Sequence, residues 1–222
     1  MDKTDFETAK DRVRERLNKF TVKAFQMIPK MDNPRILDVG CGSGVPTLKL
    51  AEMSNGHITA IDIDQDAINR LQQKITESGL SARVKAIRRS ILDMDFPKRS
   101  FDVIWAEGSI DHVGFERGLK ELGRFLKPRG SLAVHDHNSH LAQKLNDIPS
   151  CGYELLGYFK VDEQTWKKEY YFPMQRLINE TRSKHGGDRD MQSLLDKEQQ
   201  EIDVFKTDPA SCCSVFFVMR KR

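Results

Sequence analysis

Three glycines at alternate positions, Gly40, Gly42 and Gly44, stand in the stretch RILDVGCGSGVPTLKLA, directly after an apolar run and before helix-forming residues. Glycine costs roughly 0.5–1 kcal/mol relative to alanine inside a regular element, so such a cluster marks a tight turn that something approaches closely. Asp62 ends the next apolar stretch, HITAIDID, 22 positions after Gly40. A carboxylate there can accept hydrogen bonds from both hydroxyls of a ribose, which points to a cofactor containing a nucleoside. A dinucleotide loop needs G-x-G-x-x-G, but Val45 and Thr47 occupy the third glycine position in the two possible frames, leaving G-x-G-x-G. The plain alternative is an ordinary βα turn.

Two further clusters carry groups able to move protons. Glu107, Asp111 and His112 fall in AEGSIDH; His135, Asp136, His137 and His140 fall in VHDHNSH. The H-x-H-x-x-H spacing also raises zinc, but its imidazoles meet around one ion only if the chain bends sharply, and no cysteine or second carboxylate stands at ligand spacing nearby. No metal is expected.

These residues need a scaffold. Apolar runs read as strands over Ile36–Val39, His57–Ile61, Val84–Arg88, Phe101–Trp105 and Ser131–His135, with Tyr153–Phe159 and Val215–Met219 to follow. Helical patterns lie between most of them, notably Thr47–Met53, Gln65–Ser78 and Glu116–Leu126, and Phe6 to Ile28 reads as one or two amphipathic helices. Such alternation argues for a mainly parallel sheet with helices on both faces. Ligands of such sheets bind beyond the carboxyl ends of the strands, where the glycine loop and both acid–histidine clusters fall.

Composition narrows the function classes. Thirty-six Lys and Arg against 33 Asp and Glu leave a formal charge of +3 in 222 residues, not the footprint of a dedicated nucleic-acid binder. The basic pieces Arg88–Arg89 and Arg220–Arg222 read as solvated ends. Four cysteines without C-x-x-C spacing fit a reducing compartment. Without a long apolar run or a signal-like start, the expectation is a soluble, cytoplasmic protein.

The order and spacing of ILDVGCGSG, AIDID, FDVIWAEGSIDHV and ELGRFLKPRGSLAV resemble the class I S-adenosylmethionine-dependent methyltransferases over Asn33 to Asn138, nearly half the chain. The resemblance implies that Asp38, Gly40, Cys41, Gly42 and Gly44 receive the methionyl part of the cofactor. It implies that Asp62 holds the ribose, with Ile63 beside the adenine. Ser90 and Ile91 match the adenine edge, where serine departs from the family's usual aspartate. Ala106 and Glu107 match positions near the sulfonium and amino group. Methyl transfer from a sulfonium asks mainly for alignment. An amine acceptor needs no strong base, whereas a hydroxyl needs its proton removed. Glu107, His112 and His137 are the candidates for that proton. His112 has a packing alternative, and His135, by alternation the more buried of its strand, is expected to be a satisfied core histidine.

Residues 162–208 are least explained by this core. Two helical stretches, Thr165–Lys184 and Arg189–Lys206, are separated by HGGD, a break signal. Emerging after the sixth strand, they are expected to form a lid over the site, with Trp166, Tyr170 and Tyr171 as acceptor-binding candidates and ordinary helix packing as the alternative.

The combined expectation is one Rossmann-like domain over 1–222. It comprises N-terminal helices (1–32), a cofactor-binding core (33–160), a helical cap (162–208) and a last core strand (212–220), in a doubly wound, mainly parallel seven-stranded sheet whose last strand is antiparallel. The expected activity is methyl transfer to N or O of a small molecule, by a monomer or homodimer without nucleic-acid or membrane binding. An RNA or protein acceptor, or a non-catalytic S-adenosylmethionine-binding role, remains as the alternative.

Overall fold

The computed structural model describes residues 2–184 and 188–222. Seven strands form one sheet: β1 (Arg35–Val39), β2 (His57–Asp62), β3 (Val84–Arg88), β4 (Phe101–Glu107), β5 (Leu126–His137), β6 (Tyr153–Val161) and β7 (Ser214–Lys221). Their order is β3-β2-β1-β4-β5-β7-β6. β1 pairs in parallel with β2 and β4, and β5 with β4, while β7 runs antiparallel between β5 and β6. The order reverses between β1 and β4. A crevice therefore opens beyond their carboxyl ends, where Gly40 and Glu107 lie.

Helices α1 (Lys3–Glu15), α2 (Asn18–Gln26), α3 (Val45–Met53), α4 (Gln65–Glu77), α5 (Phe115–Gly123) and α6 (Leu141–Ser150) surround the sheet. Strand residues alternate between two apolar layers: Ile36, Val103, Trp105, Phe216 and Val218 meet α2, α3 and α4, while Leu37, Ile104, Val215, Phe217 and Met219 meet α5 and α6. Burial on both faces explains why these strands read as continuous apolar runs. The helix expected over Glu116–Leu126 ends at Gly123, because Leu126 already pairs with Phe101 in the sheet. α6 has no counterpart in the sequence reading; Pro149 lies within it and His140 at its start adopts φ +55°.

Between β6 and β7 the chain forms the cap: α7 (Glu163–Trp166), a π-helical turn (Lys167–Tyr171), α8 (Phe172–Lys184), α9 (Arg189–Thr207) and a 3-10 turn (Pro209–Cys212). Of the expected HGGD break, His185, Gly186 and Gly187 lie outside the described residues; Asp188 caps α9 by accepting from the N–H groups of Asp190 and Met191. A third apolar cluster joins Phe6 of α1 to Tyr171, Met174, Ile178, Leu195 and Phe205 of the cap. No helix among the described residues is long and apolar enough to cross a membrane.

Candidate active site

The glycine loop is held from beneath. Gly40 and Cys41 both donate to the carbonyl of Ile61 (2.8 and 3.0 Å), which ties the loop after β1 to the end of β2. Gly40 has φ +70°, and a Cβ there would stand 2.3 Å from Cβ of Ser109, so only glycine fits. Gly42 differs: φ is +53° and nothing lies within 4 Å of where its Cβ would be. Its bare face opens on ligand space.

Two cavities share this loop. The main one, about 380 Å³, is lined by Gly40 to Ser43, Glu107, His135, Trp166, Tyr170, Phe216 and, from α1, Arg14. The second, about 350 Å³, runs past Gly42 and Ser43 to Asp62, Asp64 and Arg70. α1 crosses between them, since Arg14 lines both. Asp11 of α1 accepts from the Ser43 hydroxyl and from Lys74, each at 2.6 Å, fastening the helix to the loop.

Asp62 ends β2 at the second cavity. Its two oxygens accept from the Gly42 N–H (2.7 Å) and the Asp64 N–H (2.9 Å), so the carboxylate is aimed by backbone alone. Asp38 lies buried under the loop, accepts from the Thr47 hydroxyl (2.6 Å) and lines neither cavity. Burial pushes its carboxyl from 3.8 up to about 7, and the charges of Glu107 and Asp62 push the same way. The neighbourhood is thus rich in negative charge, suited to a cationic ligand group. Burial also pushes the Cys41 thiol well up, which keeps it protonated and unreactive.

Glu107 projects from the end of β4 into the main cavity. It accepts from the Trp105 indole (2.9 Å) and the Thr21 hydroxyl (3.1 Å), and burial raises its carboxyl from 4.5 to about 7. Such a group can take or hold a proton at neutral pH.

The remaining predicted residues divide by position. Gly44 caps α3 against Leu71, and Ala106 is buried in the sheet; neither lines a cavity. Ile63 is 67% exposed, and Ser90, whose hydroxyl accepts from the Leu92 N–H, stands with Ile91 beyond β3, next to Asp62 on the ligand side but outside both cavities. The His112 side chain is 83% exposed beside Asp111, and His137 is exposed, its carbonyl taken by Lys144. Neither histidine lines a cavity.

His135 corrects the reading as a core histidine: it is only half-buried and forms part of the main cavity wall. Burial within the protein nevertheless pushes its imidazole down to about 4, so it is neutral. Of the cap aromatics, Trp166 and Tyr170 line the cavity. Tyr171 does not line the cavity and stacks on Phe205, ring centroids 4.1 Å apart, because successive residues of a helical turn point in different directions. Arg14 and Glu201 also line the cavity and escaped sequence reasoning, since nothing local marks either helix as facing a ligand. Among the described residues no group of three His, Cys, Asp or Glu side chains is arranged to hold a metal.

A doubly wound sheet with a glycine loop and an acidic residue at its switch point defines a nucleoside-cofactor protein of the class I methyltransferase type. A family model described as a methyltransferase domain matches residues 30–177. The chain belongs to that family. It is 28% identical over 125 residues to a 27-O-demethylrifamycin SV methyltransferase of Amycolatopsis mediterranei, covering 56% of this chain and 46% of that one. It is 33% identical over 103 residues to the sterol 24-C-methyltransferase erg-4 of Neurospora crassa, covering 46% and 27%. The chain thus spans less than half the length of these curated relatives. Among solved structures, the [4+2]-cyclase SpnF superposes with TM-score 0.75 at 22% identity over 92% of this chain and 81% of its own. A methyltransferase of Geobacter sulfurreducens, solved with S-adenosyl-L-homocysteine, gives 0.73 at 17% identity over 94% and 91%.

Proposed function

We propose that this chain is an S-adenosylmethionine-dependent methyltransferase acting on N or O of a small-molecule acceptor. The observation that carries the reading is the open face of Gly42 between two cavities, one leading to Asp62 and the other to Glu107. The residues fit the cofactor. Asp62 would take the ribose hydroxyls, and Ile63, Ser90 and Ile91 would form the adenine edge. Arg14, the one arginine or lysine lining the main cavity among the described residues, would balance the methionyl carboxylate. The negative field of Asp38, Asp62 and Glu107 suits a positive sulfonium and amino group. When bound, the cofactor supplies an activated methyl on a good leaving group.

The chain's own work is alignment and proton handling. Trp166, Tyr170, Phe20 and Phe216 wall the acceptor space and exclude water. Glu107 accepts the acceptor's proton where there is one. Segment 162–208 acts as a lid, and a cavity of about 380 Å³ favours a small acceptor over RNA or protein. The sterol and rifamycin methyltransferases among its relatives agree with a small acceptor.

The test uses methyl-labelled S-adenosylmethionine, the protein and cell extract, with label counted in small-molecule, RNA and protein fractions. Label in small molecules is expected. Label only in RNA or protein, or none despite measurable cofactor binding, overturns the reading.

A further inference from the structure

The main cavity holds a hydrogen-bond chain that the cofactor reading does not use. Trp166 Nε1 lies 3.0 Å from the Ser214 hydroxyl, and that hydroxyl lies 2.7 Å from His135 Nε2. An indole N–H can only donate, so Ser214 accepts from Trp166. Ser214 is buried and its single proton has no other partner among the described residues, so it is donated to His135 Nε2. Nε2 is therefore the bare nitrogen, and the neutral ring carries its proton on Nδ1. The ring lies flat against Phe216, centroids 4.1 Å apart and planes 10° apart, with Trp166 stacked at 6.0 Å on the cap side. Nδ1 has no protein partner among the described residues, on a side chain that lines the cavity.

His135 also pairs with Glu107 across β4 and β5, so the two side chains leave neighbouring strands on the same face. One offers a fixed N–H and the other a proton-accepting carboxylate. We propose that this pair selects a hydroxyl as the methyl acceptor, with the His135 Nδ1–H donating to the same oxygen whose proton Glu107 accepts, and with Trp166 and Ser214 as positioning residues that set the tautomer. The inference rests on the methyltransferase reading of this cavity.

Lone pairs decide between oxygen and nitrogen. A neutral amine has one lone pair, and an N–H pointed at it would occupy the electrons needed for attack. A hydroxyl oxygen has two lone pairs besides its proton. It can accept from His135 with one, attack the methyl carbon with the other and pass its proton to Glu107. The new bond is C–O, the bond broken is C–S, and its electron pair stays on sulfur, so S-adenosylhomocysteine leaves neutral at that atom. Because Trp166 belongs to the cap, the donor is set only when the cap is down.

Long-range proton–nitrogen NMR on protein carrying nitrogen-labelled histidine reads the tautomer without turnover. At pH 7 His135 is expected to show protonated Nδ1 and bare Nε2, and Trp166→Phe or Ser214→Ala is expected to give mixed tautomers. A protonated Nε2 in the wild type, or tautomers unmoved in both variants, overturns the proposal whether or not methyl transfer is seen. The labelled small-molecule products from cell extract are expected to be O-methylated. His135→Phe is expected to raise the extract concentration giving half-maximal labelling by about tenfold, while S-adenosylhomocysteine affinity by calorimetry stays within about twofold. N-methylated products, or unchanged labelling by His135→Phe, overturn the choice of oxygen. Absence of any labelled product with S-adenosylhomocysteine bound counts instead against the methyltransferase reading, and the tautomer spectrum still decides about His135.

Discussion

Gly40, Cys41 and Gly42 are held on one side of the main cavity through their own backbone N–H groups, which donate to the Ile61 carbonyl and the Asp62 carboxylate, whereas Trp166 and Tyr170 on the other side are held by side chains reaching in from distant elements. Lys10 of α1 pairs with Glu198 of α9, and Arg16 and Lys19 both reach Glu169 of the π-helical turn at 2.9 Å. The loop wall thus depends on strand register and glycine geometry, the cap wall on charges and aromatic faces. A backbone cradle suits a ligand that never changes, such as a cofactor. A wall of side chains can be rebuilt for another acceptor without disturbing the sheet, and that is where specificity is expected to lie. The cap wall is also the one expected to open, since its contacts to α1 are ion pairs and one apolar cluster.

The largest expected break of this contrast is at Lys10. The pair with Glu198 has side chains only 11% and 7% exposed, so Lys10→Ala strands a buried carboxylate and should destabilise the cap by about 3–5 kcal/mol. Hydrogen exchange should then accelerate in α9 while β1 and β4 stay protected; equal acceleration in both would show that the two walls unfold together. A paired Lys10→Met, Glu198→Met variant should recover most of the loss.

Next in size is the loop wall. Asp62→Ala should weaken S-adenosylhomocysteine binding by about 1.5–3 kcal/mol, or roughly 10–150-fold, with cap exchange unchanged. Unaltered affinity in calorimetry would remove Asp62 from the ribose.

A smaller effect lies in pH. Burial raises Glu107 from 4.5 and Asp38 from 3.8, each to about 7. Between those values and pH about 7 the two carboxyls hold more protons in the folded chain than in the unfolded one, while His135, lowered from 6.5 to about 4, holds fewer; two groups against one leave stability greatest at the acid end of the window and falling as pH rises through it. Urea titrations of Glu107→Gln should show a much shallower decline, because the slope from Asp38 is then opposed by that from His135. An identical slope in the variant would mean that Glu107 is not protonated in the fold.

Smallest is Lys3→Ala. Its pair with Asp66 is open to solvent at both ends and should shift stability by less than about 0.5 kcal/mol. A larger shift would mean that the Lys3–Asp66 pair fastens α1 to α4 alongside the less exposed Asp11–Lys74 and Glu7–Arg70 pairs.

Six of the seven strands were legible to within a few residues: β1, β2, β4 and β7 because they are largely buried, β3 and β6 from their apolar and β-branched residues although both carry exposed positions. The reading of β5 fell short at Leu126 to Gly130, where Lys127 to Gly130 interrupt the apolar pattern, and at Asp136 and His137. The placement of the loop from Gly40 to Gly44 and of Asp62 was legible for a related reason: it follows from backbone shape and from standing at a strand end. The cavity's other wall was not. Trp166 and Tyr170 carried the same aromatic signal as Tyr171, which faces Phe205 instead. Alternation assigned His135 to the core because it assumes a wall on both sides of the sheet, and at the strand's carboxyl end one of those sides is the cavity.

The sequence by itself determined the parallel sheet, its glycine loop and the acidic residue beyond it, since local spacing and apolar periodicity act within a few residues of one another. Only the tertiary structure decided that Arg14 and Glu201 face one cavity, that Glu107 is buried enough to hold a proton near neutrality, and that Trp166 reaches His135 through Ser214. Those contacts join residues 48 or more positions apart, and their energies depend on burial and donor geometry that exist only once the cap has closed on the sheet.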